Sequence, residues 1–217
     1  MKKLTLTFLL LLILSGYDSF FAQNYGISVK GSTLGFGIEA MRSFSPNLNA
    51  RVGFAVFGYS IKGGGGSTDD YSYNAKLNLT GINILADYFP WQTGLRVTAG
   101  FLINLNKVTT EMTPSKTYTV GGDLYTPDVL GKMNAEIKFN KIAPYIGIGF
   151  GNPLAEGKKL GFTFDMGTMY HGSPKVDLSA TGLIEPSASP DQEEKLADNI
   201  SWFKWFPVVS FGLTYKF

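Results

Sequence analysis

Between Leu95 and Leu105 every second residue is apolar: Leu95, Val97, Ala99, Phe101, Ile103 and Leu105. Arg96, Thr98, Gly100, Asn104 and Asn106 occupy the opposite phase. A period of two predicts a β-strand with one face against something apolar. The same alternation runs through Leu48, Ala50, Val52, Phe54 and Val56, through Met133, Ala135, Ile137 and Phe139, and through Phe162, Phe164 and Met166. Ile146, Ile148 and Phe150 alternate with Tyr145, Gly147 and Gly149. From Tyr71 to Phe89 the phase changes near Gly81: Tyr73, Ala75, Leu77 and Leu79 precede it, then Ile82, Ile84, Ala86 and Tyr88 follow. A bulge at Gly81 would produce that switch. Firm strands are predicted over residues 31–44, 48–61, 71–89, 95–108, 131–139, 142–151, 160–171 and 206–217. Weaker ones are predicted over 25–30 and 175–181.

Alternation alone does not say what covers the apolar face. A soluble barrel turns it inward; a transmembrane barrel turns it to lipid. Two features favour lipid. The polar phase carries Arg51, Lys76, Arg96, Lys132 and Lys138 against Glu39, Asp87, Glu136 and Asp165, interspersed with glycines that suit a crowded lumen. Aromatics gather near strand ends (Phe44, Tyr59, Tyr71, Tyr88, Phe89, Trp91, Phe139, Tyr145, Tyr170, Trp205, Phe206), as an interfacial girdle requires. The predicted fold is therefore all-β, an antiparallel up-and-down transmembrane β-barrel. Its length favours eight strands, with ten left open, because strands of about 9–11 residues span a bilayer. One conflict points to ten. The short turns at Ser45-Pro46-Asn47, Pro90-Trp91-Gln92-Thr93 and Asn140-Lys141 belong at one end only if both weak strands count.

The ends of the 217-residue chain fit export. Met1-Lys2-Lys3 precedes an apolar run from Leu4 to Leu14, which is signal-peptide length and shorter than a membrane helix. Cleavage near Ala22 is expected, leaving 23–217 as one barrel domain. That removes two of the 19 basic residues and one of the 17 acidic ones, so the net charge falls from +2 to +1. Such a balance gives no footprint for nucleic acid. Without cysteine there is no disulfide framework.

The last residues alternate to the end: Phe211, Leu213, Tyr215 and Phe217, separated by Gly212, Thr214 and Lys216. This ending resembles the C-terminal sorting signal of bacterial outer-membrane β-barrel proteins. "GSTLGFGIEAMRSFSPNLNARVGF", "ADYFPWQTGLRVTAGFLI", "FNKIAPYIGIGFGN" and "FDMGTMYHGSPKVDLSA" are similar to segments of small porin-like, OmpA/OmpW-like outer-membrane proteins. The resemblance implies outer-membrane lipid around the barrel and the barrel-assembly machinery as a partner in biogenesis. A monomer in the outer membrane is expected, with any surface ligand unassigned. Such motifs specify architecture and say little about activity.

Before the last strand, a short amphipathic helix is predicted, capped by Ser189 with Pro190 in its first turn and Gln192 at capping-box spacing. Leu196, Ile200 and Phe203 form its apolar stripe, and it either lies on the rim or plugs the lumen. "TYTVGGDLYT" predicts a small hairpin around Gly121-Gly122, and Gly63 to Gly66 a flexible loop. His171, the single histidine, and Ser173 have a His-x-Ser spacing seen in an outer-membrane lipid A deacylase, where a base activates a serine hydroxyl. Pro174 replaces the Asn of that family, and no third residue orients the imidazole. No catalytic residue, metal site or cofactor is expected; Asp69-Asp70 lacks calcium-loop spacing. The expected function is a non-enzymatic barrel with a structural, surface-interaction or narrow-channel role, its lumen charges paired. A lipid-modifying hydrolase using His171 and Ser173, or a soluble periplasmic carrier, are the alternatives.

Overall fold

The structure is a computed structural model describing residues 24–66, 69–120, 123–157 and 159–217. Its strands are β1 (Tyr25–Ser32), β2 (Gly35–Ser45), β3 (Leu48–Gly64), β4 (Tyr71–Tyr88), β5 (Leu95–Asn104), β6 (Lys107–Pro114), β7 (Tyr118–Val120), β8 (Asp123–Tyr125), β9 (Met133–Lys138), β10 (Ile142–Phe150), β11 (Leu160–Tyr170), β12 (Lys175–Ala180) and β13 (Trp205–Lys216). Helix α1 covers Pro127–Leu130, a 3-10 turn Gly182–Ser187 and helix α2 Pro190–Asn199.

Eight strands close a ring in the order β1-β2-β3-β4-β5-β10-β11-β13, with β13 returning to β1. Closure pairs the backbone of both outermost strands, which a bilayer demands of any spanning sheet. At the seam Gly26 sits opposite Lys216, and the Phe217 amide donates to the Tyr25 carbonyl at 3.1 Å.

The count of eight agrees with expectation, but its membership differs. Tyr25–Ser32, read as weak, is a full barrel strand. Met133–Lys138, read as firm, stands outside the ring, as does Lys175–Ala180. The loop conflict dissolves with that exchange. The start of β1, the end of β13, the β2–β3 and β4–β5 turns and residues 151–157 share the lower end. The β1–β2 turn, the β3–β4 hairpin and the excursions 105–141 and 171–204 share the upper end. Asn140-Lys141 is thus an upper-end junction between β9 and β10 rather than a lower turn.

On one side the barrel wall continues upward as a raised sheet. The β3–β4 register runs unbroken from Leu48 opposite Tyr88 to Gly64 opposite Ser72. The expected bulge at Gly81 is therefore absent. The β4–β5 pair Gly81/Asn104 and the β4–β6 pair Asn78/Lys107 keep one offset, so β5 and β6 form a single long stave. β10 and β9 do the same, through Ile142/Ile103 and Lys138/Lys107. What changes near Gly81 is polarity. In the barrel the outward positions Ile82, Ile84, Ala86 and Tyr88 are apolar; above it the same side carries Asn74, Lys76 and Asn78. The switch marks where the outward environment ceases to be lipid.

The fourth stave, β11 to β12, carries the irregularity. Its offset changes by one residue between Tyr145/Met169 and Lys138/Lys175. The shift falls at His171-Gly172-Ser173-Pro174, where Gly172 has φ +73 and a Cβ would meet the Asn140 side chain. This one-residue slip turns the even positions of β11 and the odd positions of β12 to the same outer side.

Several local expectations are refined. The 117–126 segment does form a hairpin, β7 with β8, whose Gly121-Gly122 tip lies outside the described residues. Gly63 and Gly64 pair within β3, so only the tip of the glycine run is loop, with positive φ at Gly64 and Gly65. Helix α2 starts at Pro190, but the Ser189 side chain makes no cap bond; its carbonyl accepts from the Gln192 and Glu193 amides instead. The Glu193 carboxylate accepts from the Leu178 amide on the free edge of β12 at 2.7 Å. No residue of α2 is buried, so the helix leans on the raised sheet and does not plug the lumen.

Candidate functional site: the lumen

The outward face of the eight-stranded ring is predominantly apolar. Phe162 is 79% exposed and Phe36 73%, with Val52, Phe54, Ile84, Phe101, Ile146, Ile148 and Phe211 also exposed. Among the described residues Arg42 is the one charged side chain on that face, and it stacks on Tyr25 and Phe44 at the lower edge (5.3 and 4.9 Å). An apolar surface of this extent is not stable in water and matches a lipid belt. Phe44, Tyr88 and Trp91 rim it below, and Tyr170 stacks on Trp205 above at 4.8 Å. Tyr59 and Tyr71 stand higher, on the raised sheet, and Phe89 and Tyr145 point inward, so the expected girdle is smaller than its sequence list.

The lumen is filled in layers. At the bottom residues 152–155 tuck under the ring: Leu154 and Phe89 are buried, Lys216 Nζ donates to the Leu154 and Ala155 carbonyls, and Asn49 Nδ2 donates to Asn152 Oδ1.

Above that floor lies an ion network with Asp165 as its hub. Arg51 forks onto Asp165 with Nη1 and Nη2 each 3.1 Å from a carboxylate oxygen. Arg96 Nη2 reaches Asp165 Oδ1 at 2.6 Å, Lys30 Nζ reaches Oδ2 at 3.1 Å and the Ser210 hydroxyl donates to Oδ2 at 3.2 Å. Glu39 accepts from Lys30 (2.8 Å), Arg51 (3.4 Å) and Asn83 (2.8 Å). Asp87 forms an ion pair with Arg51 (3.1 Å) and accepts from the Thr98 hydroxyl (2.6 Å). Three cations thus meet three carboxylates at a buried centre with no net formal charge. Each carboxylate has several donors, as charges withdrawn from water require. Gly149 makes room: a Cβ there would sit 2.7 Å from both Arg96 Nε and Asp165 Oδ1.

The third layer is apolar. Leu85, Leu102, Ala143, Tyr145, Met169 and Val208 form a buried cluster, with Leu34 and Phe206 packed against it. Between it and the ion network remains a cavity of about 60 Å³, lined by Lys30, Glu39, Asp165, Leu85, Leu102 and Tyr145 among others. That is room for a few waters.

At the upper rim His171 closes the stack. It is 1% exposed, with its ring 4.1 Å from Phe139, 5.1 Å from Phe203 and 6.2 Å from Phe206. Neither ring nitrogen has a hydrogen-bond partner, and burial holds its pKa below the ordinary histidine value. Ser173, within the slip, is exposed.

Of the charges expected in the lumen, Glu39, Arg51, Asp87, Arg96 and Asp165 come together there. Lys76, Lys132, Glu136 and Lys138 lie instead on the outer face of the raised sheet, where Lys138 pairs with Glu136 and Asp177, and Lys132 with Glu111. They share the polar phase of their strands, but above the belt that phase faces outward into water. Lys30 escaped the sequence reading because its strand was read as weak, although Ser28, Lys30 and Ser32 alternate with Ile27, Val29 and Gly31. The apolar layer was missed too. Its signal was apolar residues, Leu85 and Leu102, sitting in an otherwise polar phase.

No family model matches the sequence, and no curated protein does. Solved structures similar to this one include CarO2 of Acinetobacter baumannii, with a TM-score of 0.58, 23% identity and coverage of 89% of this chain and 98% of that one. CarO of the same organism gives 0.57 and 22%, covering 93% and 100%. A major outer membrane protein of Thermus thermophilus aligns over 89% of this chain and 99% of its own, a looser likeness with a TM-score of 0.47 and 15% identity. With its closed eight-stranded ring, lipid-suited belt and filled lumen, the chain has the fold of the small outer-membrane β-barrel proteins.

Proposed function

We propose that this chain is an exported, monomeric outer-membrane barrel that performs no covalent chemistry and whose lumen is shut at rest. The observation that carries the reading is the stack of floor, ion network and apolar layer inside the ring, with only a cavity of about 60 Å³ between the last two. An eight-stranded barrel is narrow enough for side chains to fill. Conduction then requires the apolar layer around Leu102 to part and the Asp165 network to rearrange. Surface interaction through the raised sheet is the other role this architecture supports. Purified protein in planar bilayers will show small or rare conductance steps; large, steady, weakly selective openings would overturn the reading.

Hydrolysis at the rim would need the His171 imidazole on the Ser173 hydroxyl, whereas His171 is held among phenylalanines. A soluble carrier would need its apolar faces inward, whereas they point out. The signal read over residues 1–22 lies outside the described residues. The assembly role of Phe211, Leu213, Tyr215 and Phe217 is part of the proposal: all four point outward on the closing strand, where a sorting factor can read them before closure. Phe217→Asp will lower the yield of heat-modifiable barrel in outer membranes, and undiminished yield would remove that role.

A further inference from the structure

The outer face of the raised sheet carries a row that its own energetics do not explain. In register across three adjacent strands stand Lys107 on β6, Lys138 on β9 and Lys175 on β12, each directly opposite the next. Like charges in directly opposed positions destabilise a sheet. Compensation is incomplete. Glu136 pairs with Lys107 at 3.5 Å and with Lys138, and Asp177 pairs with Lys138 at 3.3 Å. Lys175 has no ion pair among the described residues. The wider face repeats the imbalance, with Lys62, Lys76, Lys107, Lys132, Lys138 and Lys175 against Glu111, Glu136 and Asp177.

The row also has a defined height. Lys107 follows the outward Leu105 by two residues, and Lys138 precedes the outward Ile142 by four. At ~3.3 Å per residue these are roughly 7 and 13 Å along the strands. With strands tilted by about 40°, the backbone of Lys107 and Lys138 stands about 5–10 Å above the outermost apolar residues. That is the headgroup layer of a leaflet, given ~30 Å of hydrocarbon within ~40–45 Å of bilayer. The same staves present Phe101, Ile103, Leu105, Ile142 and Ile146 beneath, so acyl chains and headgroup of one lipid would meet a continuous surface.

We propose that Lys107, Lys138 and Lys175 bind the phosphate groups of outer-leaflet lipid, whose negative charge supplies the compensation the sheet lacks. Lysine suits this role as a mobile point charge toward phosphate oxygens. The inference rests on the raised sheet lying outside the outer leaflet.

The test uses the full barrel folded in detergent and bisphosphorylated lipid A as probe, read by native mass spectrometry. Native protein will retain bisphosphorylated lipid A in preference to its dephosphorylated form. The triple variant K107Q/K138Q/K175Q will bind the phosphorylated form on the order of a hundredfold more weakly while keeping heat-modifiable migration. K195Q, on α2, will bind as the native protein does. Equal binding by the triple variant, or no preference for phosphate in the native protein, overturns the proposal. Because the chain has no cysteine, Ser179→Cys on the same face reports orientation through an impermeant maleimide on intact cells. Labelling supports the placement. Absence of labelling in a membrane-inserted barrel refutes the outward orientation and the phosphate site with it, whereas failure of the lysine arm with labelling intact refutes the phosphate site alone.

Discussion

The barrel and the raised sheet share β3 and β4 and continue the same staves, yet their outer faces have opposite polarity. In the ring β4 shows Ile82, Ile84 and Ala86 outward and Leu85 and Asp87 inward; higher on that strand Asn74 and Lys76 face outward and Ala75 and Leu77 inward. Nothing in the backbone changes between them, since the register is continuous. The difference comes from the medium on the outer side. Lipid selects apolar side chains and water selects charged ones, and the inner side takes what the lumen or the sheet's own packing requires. The charges follow the same division. Arg51, Arg96 and Asp165 are withdrawn from solvent in the ring, whereas Lys138 and Glu136 on the raised sheet remain partly wet. Ion pairs alike on paper should therefore differ in worth.

The largest effect is expected at the hub. Asp165→Ala leaves Arg51, Arg96 and Lys30 without their shared carboxylate, and breaking a buried pair from one side costs about 3–5 kcal/mol. Denaturant unfolding in lipid vesicles will show that loss, while Glu136→Gln on the raised sheet will cost under about 1 kcal/mol. Equal effects would erase the distinction between the two regions.

Next comes the outer face. Ile148→Lys puts a charge into the exposed belt, at a cost of about 2–4 kcal/mol near the bilayer midplane. Thr109→Lys, on the outward face of β6 between Lys76 and Glu136, will cost under about 1 kcal/mol. If both were tolerated, the belt would not face lipid.

A comparable loss, about 2–3 kcal/mol, is expected for Leu102→Ala in the apolar layer. Its distinctive readout is electrical: more frequent conductance steps than the native protein, because the layer above the ion network is thinned. Unchanged conductance would assign closure to the network alone.

The smallest effect concerns pH. His171 has a folded pKa below its unfolded value, so the unfolded chain binds the proton more readily. Its contribution is complete above the unfolded pKa of about 6.5 and is lost as pH falls through the depressed folded value. Protonation will loosen the Phe139–His171–Phe203 rim, followed by unfolding midpoints between pH 7 and 4. His171→Phe will flatten that part of the profile, and an unaltered slope would mean that other groups produce it.

The strands themselves were legible in the sequence, because a period of two is a local property. The ion network was legible in part: Glu39, Arg51, Asp87, Arg96 and Asp165 lie in the polar phase of strands that join the ring. Lys76, Lys132, Glu136 and Lys138 carry the same local signature and end up outside.

Sequence alone therefore determined the all-β class, the apolar belt and a closing aromatic strand, since alternation and composition are written residue by residue. Tertiary structure decided which strands enter the ring, with Tyr25–Ser32 included and Met133–Lys138 excluded, because ring membership depends on which edges find partners across distant parts of the chain. It also decided which side of each stave meets lipid, water or lumen. That depends on height along the barrel axis, and one residue's neighbours in sequence do not encode it.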